Sequence, residues 1–383
     1  MAVTINGTTG VSLVQDGTIT SAKIVDGTVA AADMADGAVE GAFTTQMGRR
    51  NLIINGAMTV AQRGTSSTTN GYGSVDRFEN SYSGGTVTGS QESLTSSDAP
   101  YALGFRNYFR QTNTATTSGA ADYRQLIHKI ESQNIAKSGW NYTSTSSYIT
   151  VSCWVRSSVA GKCGFYLLTF DSPSYQFAFT ETLVANTWTK ITKTIPGNSN
   201  LVFNNDTGAG VGFQPVPWFG TDYTDSGATL DSWVAQDTTA YLPDDLADWA
   251  GTSNATFDVT GMQIEVGSTA TPFEHEDYGT TLRKCQRYFE LLGHAMRGTT
   301  DSFSLMSLPF NAATGNQWTD IPFMVEKRAA PTSIVAFNGY TVPTTTGLGL
   351  STNGATLYHT SQMMFKKVGG SDGDAVASVS AEI

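Results

Sequence analysis

The chain has 383 residues, enough for roughly two or three domains with ample apolar material for a core. Its net charge of -11 excludes a reader of the nucleic-acid phosphate backbone, whose affinity comes from Lys and Arg. No run of about 18 apolar residues is present to cross a bilayer, and the start, MAVTINGTTG, lacks the basic region and apolar stretch of a secretory signal, so synthesis and folding in a cytosol are expected.

Only 14% of residues are charged and 39 are glycine, a composition that suits short strands and tight polar turns and predicts an all-β protein. The N-terminal stretch carries a ten-residue repeat: Asp16-Gly17-Thr18-Ile19, Asp26-Gly27-Thr28-Val29 and Asp36-Gly37-Ala38-Val39. Each unit joins a turn dipeptide to a short β-branched stretch. One chain cannot bury so few apolar side chains per unit. Either the segment is disordered, or Ile19, Ile24, Val29, Met34 and Val39 meet on the shared axis of a parallel homo-oligomer. Ala42 to Arg50 is read as a linker or short helix.

From Asn51 the texture changes. An Asn-Gly turn separates Leu52–Ile54 from Met58–Val60, a Ser/Thr/Gly loop spans Gly64–Gly73, and Asp76-Arg77-Phe78 leads into a strand. Tyr101–Gln111 and Tyr123–Ile130 are further strand candidates. Tyr148–Arg156 and Cys163–Phe170, joined by VAGK, predict a hairpin across which Cys153 and Cys163 can face one another. Three cysteines (with Cys285) are too few for a disulfide framework, and reduced, buried thiols are expected. Tyr175–Thr180, Trp188–Ile195 and Leu201–Phe213 continue the series, which predicts a β-sandwich rather than a βαβ fold.

Between Val216 and Ala255 the alternation fades, and aromatic residues interleave with aspartates. Phe257 to Val266 then alternates like a strand, Gly267 breaks it, Pro272 fixes an extended turn, and Thr280 to Cys285 suits a short helical turn. The remaining hundred-odd residues hold several short β candidates.

The stretch GMQIEVGSTATPFE, followed by CQRYFE, resembles tail fibre and related appendage proteins of tailed bacteriophages, which often carry a carbohydrate-binding-module-like jelly roll. The matching residues are Gly261, Gln263, Glu265, Gly267, Ala270, Pro272, Phe273 and Glu274, then Cys285, Gln286, Arg287 and Tyr288. Upstream, Asn51-Leu52-Ile53-Ile54-Asn55-Gly56, Gln62-Arg63-Gly64 and Asp76-Arg77-Phe78 resemble the start of the same domain, and Ser152–Val155 and Thr187–Thr192 two of its strands. The likeness covers about Asn51 to Phe289; the decapeptide repeat resembles collar or shaft segments of such fibres. PFMVEKRAAPTSIV resembles the strand that often follows, with Glu326-Lys327-Arg328 where a Met-Arg pair is common. The resemblance implies a homotrimeric virion protein, made in the bacterial host cytoplasm, that binds host surface polysaccharide or lipopolysaccharide. It also implies attachment to other virion tail or adaptor proteins through the N-terminal segment. The expected organisation is an attachment and trimerisation segment over 1–46, a jelly roll over 47–276 and a C-terminal β tip over 277–383.

Trp218, Tyr223, Trp233, Tyr241 and Trp249, with Asp222 and Asp225, have the composition of a sugar-binding surface: aromatic faces stack on sugar C–H patches and carboxylates accept from hydroxyls. The alternative is an ordinary loop whose aromatics cover the sandwich edge. A glycosidase needs two acids at a set spacing, which nothing in the sequence fixes, and no enzyme is expected. No cofactor is expected either. Calcium, which takes several loop oxygens, has Asp222, Asp225 and Asp244–Asp245 as candidate ligands but no recognisable ligand pattern. His275, between two glutamates, suits a metal or general-base role less well than a surface position. Two readings compete with an adhesin: a structural head, collar or tail component, and a depolymerising tailspike, which would show a β-helical repeat this chain lacks.

Overall fold

A computed structural model of the chain describes residues 50–292, the pairs 5–6 and 10–11, and 317–331, 334–336, 340–341, 347–359, 366–367 and 377–383. The chain divides into two units, Met1–Arg49 and Arg50–Ile383. In the first, Ile5–Asn6 pairs antiparallel with Gly10–Val11. The repeat positions Ile19, Ile24, Val29, Met34 and Val39 lie outside the described residues.

The second unit is built on two antiparallel sheets in a jelly-roll sandwich. Its strands are β1 (Ser66–Ser67), β2 (Glu79–Ser83), β3 (Thr86–Ser93), β4 (Asn107–Ala115), β5 (Tyr123–Glu131), β6 (Tyr148–Ser157), β7 (Gly161–Thr169), β8 (Tyr175–Leu183), β9 (Thr189–Pro196), β10 (Ala209–Val216), β11 (Trp218–Phe219), β12 (Trp233–Ala235) and β13 (Thr256–Val266). One six-stranded sheet runs β9-β6-β13-β4-β3-β1. The seven-stranded sheet runs β11-β5-β10-β7-β8-β12, with β2 also paired to β5.

Alternation explains most of these strands. On β5, Leu126 and Ile130 enter the core while Tyr123, Gln125, Ile127 and Lys129 share the outer face. The core between the sheets holds Phe165 stacked on Phe179 at 5.1 Å and 13°, with Val151, Val155, Val259 and Ile264.

Several expected strands differ. β6 and β7 are not a hairpin: β6 pairs with β9 and β13, and β7 with β8 and β10, so Ser158–Ala160 carries the chain from one sheet to the other. Both strands are apolar enough to be central, and a jelly roll separates consecutive central strands into opposite layers. Cys153 and Cys163 accordingly sit in different sheets, free and buried. Leu52–Ile54 and Met58–Val60 form a turn region without strands, and Asn55 (φ 62°) organises it by accepting from Thr59 N and Val60 N with its side-chain oxygen. Tyr101 lies in a 3-10 turn (Ala99–Leu103), so β4 begins later, and β10 begins at Ala209 rather than Leu201.

β13 contains a bulge: its register with β6 shifts between Thr260 and Gln263, and Gly261 has φ 60°. The bulge is clasped by Asn51–Gly56. Met262 N donates to Gly56 O (3.0 Å), Asn51 Nδ2 donates to Met262 O (3.1 Å), and Leu52 N donates to Ile264 O (2.9 Å). The residues after β13 fold back on this clasp: Glu274 accepts from Asn51 N (2.6 Å), and Glu265 accepts from Gln263 Nε2 (2.8 Å) and from Thr271.

Helix α1 (Tyr278–Gln286) opens with Asp277, whose carboxylate accepts from Thr280 N at 3.0 Å. It delivers Arg287 and Tyr288 to Glu131: Arg287 makes two bonds, 2.7 and 2.9 Å, and Tyr288 Oη donates at 2.5 Å. Arg77, fully buried, lies 3.4 Å over the Tyr288 ring and pairs with Glu382. Beyond, β14 (Phe289–Leu292) and β15 (Ile334–Ala336) flank β16 (Ala377–Ser380). The expected boundary between jelly roll and tip, after residue 276, falls within the second unit, between the Glu274 bond to Asn51 and the Arg287 bond to Glu131.

Candidate functional site

β7 is apolar at both parities. Phe165 and Leu167 fill the core, while Tyr166 and Leu168 point out of the sandwich. An outward apolar row needs its own cover, and residues 217–250 supply it: Phe219, Tyr223, Leu230, Tyr241 and Leu242 pack there as a second, smaller core. Backbone bonds hold this covering segment down, among them Asp231 N to Ala178 O (2.8 Å) and Ala247 N to Lys162 O (2.8 Å), and Tyr241 N to Tyr223 O (3.0 Å) ties it to itself.

The cover is incomplete and leaves a cleft of about 260 Å³. β5 contributes Tyr123, Gln125, Ile127 and Lys129; β7 and its continuation contribute Tyr166, Leu168 and Phe170; β10 contributes Gln214; the cover contributes Phe219, Tyr223 and Tyr241. Tyr241 stacks on Tyr166 with centroids 5.1 Å apart at 29°, and Tyr123 meets Tyr223 edge-on at 5.6 Å and 90°. On the floor, Tyr166 Oη lies 2.7 Å from Gln214 Oε1 and 2.8 Å from Gln125 Oε1. One phenol proton serves only one of these oxygens, so the other amide is turned to present its NH₂. Gln214 Nε2 is buried without a partner. Lys129 is held 3.0 Å from Glu79.

Burial pushes the Tyr166 phenol far above its ordinary value and raises those of Tyr223 and Tyr241, with a hydrogen bond from Gln236 opposing it at Tyr241. All three stay neutral at physiological pH. The lining therefore offers aromatic faces, phenols, amides and one paired lysine, and no carboxylate, thiol or imidazole. That set recognises uncharged polar rings with apolar faces.

Of the residues singled out in the sequence, Tyr223 and Tyr241 come together in this cleft. Trp218 (9% exposed), Trp233 (6%) and Trp249 (1%) belong to the core and present no face to solvent. A tryptophan gains more from full burial than from an exposed platform, and Trp233 completes the arrangement by donating to Pro196 O at 2.7 Å. Asp222 and Asp225 are exposed; Asp225 accepts from Gly227 N at 2.6 Å within its own turn. Asp244 is exposed, and Asp245 pairs with Lys162. Among the described residues no three His, Cys, Asp or Glu side chains converge as metal ligands. His275 is exposed, its ring tilted against Phe105 and edge-on to Phe273, and its Nε2 2.9 Å from Leu103 O.

The sequence reading missed Tyr123, Gln125, Lys129, Tyr166 and Gln214. The available signal was CGFYLLTF itself: a strand apolar on both faces, with no partner sheet left to cover the second, marks where a loop must close over it.

No family model matches the sequence, and no curated protein matches it. Solved structures to which it is similar include the enzymatically active domain of tailspike protein 4 from bacteriophage CBA120, at 10% identity and a TM-score of 0.30, covering 57% of this chain and 21% of that one. Another is the family 11 carbohydrate-binding module of the cellulase Lic26A-Cel5E from Clostridium thermocellum (10% identity, TM-score 0.27, 55% of this chain and 98% of that one). A third is a cyclase from Fischerella sp. TAU in complex with 4-(1H-indol-3-yl)butan-2-one (8% identity, TM-score 0.34, 58% of this chain and 100% of that one). At these TM-scores none of the likenesses bears on what the chain does.

Proposed function

We propose that the chain is a glycan-binding subunit of a bacteriophage appendage, a tail-fibre adhesin that attaches the particle to host surface polysaccharide or lipopolysaccharide. The observation that carries the binding is the cleft on the outer face of the seven-stranded sheet, where four tyrosines and Phe219 surround two glutamines. Aromatic rings offer faces to sugar C–H groups, and the Gln125–Tyr166–Gln214 chain offers donors and acceptors to ring hydroxyls. At about 260 Å³ the space suits about one sugar residue with its neighbours in solvent. The virion assignment rests on the sequence resemblance from Asn51 to Phe289. The decapeptide repeat supplies three-fold association and attachment to other virion proteins, so weak single sites act together. The role is binding, without a cofactor or cleavage chemistry.

A glycan array with the full chain, repeated with Tyr223→Ala, tests this reading. Retention on host-type polysaccharide that falls about tenfold in the variant supports it. If no glycan and no host cell retains the protein, and antibodies against it leave adsorption unchanged, the chain is a structural component of the particle instead.

A further inference from the structure

We infer that the cleft selects a sugar carrying an acetamido group, an N-acetylhexosamine, over plain hexoses and acidic sugars; this rests on reading the cleft as the glycan site. The side chain that decides it is Gln214, 2% exposed and part of the cleft lining. The relay Gln125–Tyr166–Gln214 contains a single phenol proton. If Gln125 is the amide that turns toward Tyr166, the Gln214 NH₂ is left over; if Gln214 turns, its oxygen is left over. In both arrangements one atom of a buried amide lacks a protein partner, and a ligand that pairs with it recovers the desolvation cost of that atom.

What surrounds that atom is apolar. Gly212 lies two residues earlier on the same face of β10, directly across from Leu168. A Cβ at Gly212 would sit 3.0 Å from the Phe170 ring and 3.5 Å from Gln214 Nε2, so the ring packs directly over the glycine and, with Leu168, forms an apolar wall of the cleft beside the unpaired amide. An acetamido group carries a carbonyl acceptor, an N–H donor and a methyl on adjacent atoms. It pairs with Gln214 in either orientation and places its methyl against the wall formed by Leu168 and Phe170. A bare hydroxyl pairs with the amide but leaves the apolar wall against a hydrated group. A uronate finds no uncommitted cation in the lining, because Lys129 is already paired with Glu79 at 3.0 Å.

The experiment is a glycan array with the full chain in which each acetamido glycan is printed beside its de-N-acetylated and 2-hydroxyl counterparts. It is repeated with Gln214→Leu and Phe170→Ala. The retained glycans are expected to share an N-acetylhexosamine, with counterparts weaker by about tenfold, and both variants are expected to lose that preference. Retention of plain or acidic glycans at equal strength overturns the acetamido selectivity while leaving the cleft as a sugar site. Unchanged preference in both variants places the selectivity outside the cleft and overturns it as well. If no glycan is retained, the binding reading itself falls and this inference with it.

Discussion

Two buried carboxylates on the sandwich respond to pH in opposite senses. Asp76 is fully buried and accepts from Gln62 N (3.0 Å) and Gln62 Nε2 (2.5 Å), with Arg63 at 3.8 Å. Burial pushes its pKa up to about 6, the charge of Arg63 and the bonds from Gln62 only partly opposing it. The folded state therefore holds this proton where the unfolded chain releases it, and the group's contribution falls as pH rises from about 4 to about 6, a cost of about 3 kcal/mol at neutral pH. Asp76→Asn is expected to remove that slope, which thermal melting across this pH window measures; an unchanged slope would show that Asp76 titrates as an ordinary carboxyl. At Glu131, burial raises the pKa, but bonds from Arg287, Tyr288 and Gln133 outweigh it and hold it below its ordinary value. Its contribution is present above the unfolded pKa and lost as pH falls through the folded one. Arg287→Ala leaves the Glu131 carboxylate with Tyr288 and Gln133 alone, and is expected to cost about 2 kcal/mol, below the range for fully buried pairs because Arg287 is partly exposed. Urea unfolding at neutral pH checks it.

At the scale of elements, the bulge of β13 brings together the motifs that carry the resemblance, Asn51–Gly56 and Gly261–Glu274. Gly56 approaches Met262 so closely that a Cβ there would lie 2.1 Å from the Met262 carbonyl oxygen, and backbone on both sides has nowhere to move. Gly56→Ala is expected to destabilise the second unit by about 3 kcal/mol, read as a lowered urea midpoint with unchanged slope. The alternation from Phe257 to Val266 was legible as a strand, but the core row changes phase, Phe257 and Val259 before the bulge and Met262 and Ile264 after it. A period-2 pattern alone does not report the inserted residue. β6 and β7 were equally legible as strands. Their partners were not, because a short connection serves a hairpin and a crossover between sheets equally well, and only the packing of both apolar faces decides. The same limit hid the cleft: Tyr223 and Tyr241 were visible in an acidic-aromatic stretch, whereas Gln125, Tyr166 and Gln214 lie on three strands whose order the sequence does not state. The crossover has a chemical consequence. Burial raises the thiol pKa of both Cys153 and Cys163 far above neutrality, so neither is a reactive thiolate. Both are expected to resist an aromatic disulfide reagent in the native protein and to react together on unfolding in urea; rapid native labelling would contradict the layering.

For the whole molecule the proposed function asks how a cleft suited to about one sugar residue would hold a particle on a cell. A site of this size, with one unpaired amide and a few aromatic faces, gives weak single contacts. Joining several copies converts later contacts into intramolecular ones and raises avidity by about 10²–10⁴ without any new interaction. In the proposed function the decapeptide repeat does that joining, with Ile19, Ile24, Val29, Met34 and Val39 meeting their counterparts on partner chains. The second unit, Arg50–Ile383, encloses its own hydrophobic core and the complete cleft, so the two roles separate. Full-length protein is expected to scatter light as a trimer, and protein lacking residues 1–49 as a monomer with unchanged thermal stability of the sandwich. The shortened chain should bind a free oligosaccharide as the full chain does, yet release from a dense glycan surface at least tenfold faster, measured by surface plasmon resonance. A monomeric full-length chain, or a shortened chain that stays trimeric, would move the association away from the repeat. Equal release rates from the dense surface would show that attachment does not depend on joining the sites.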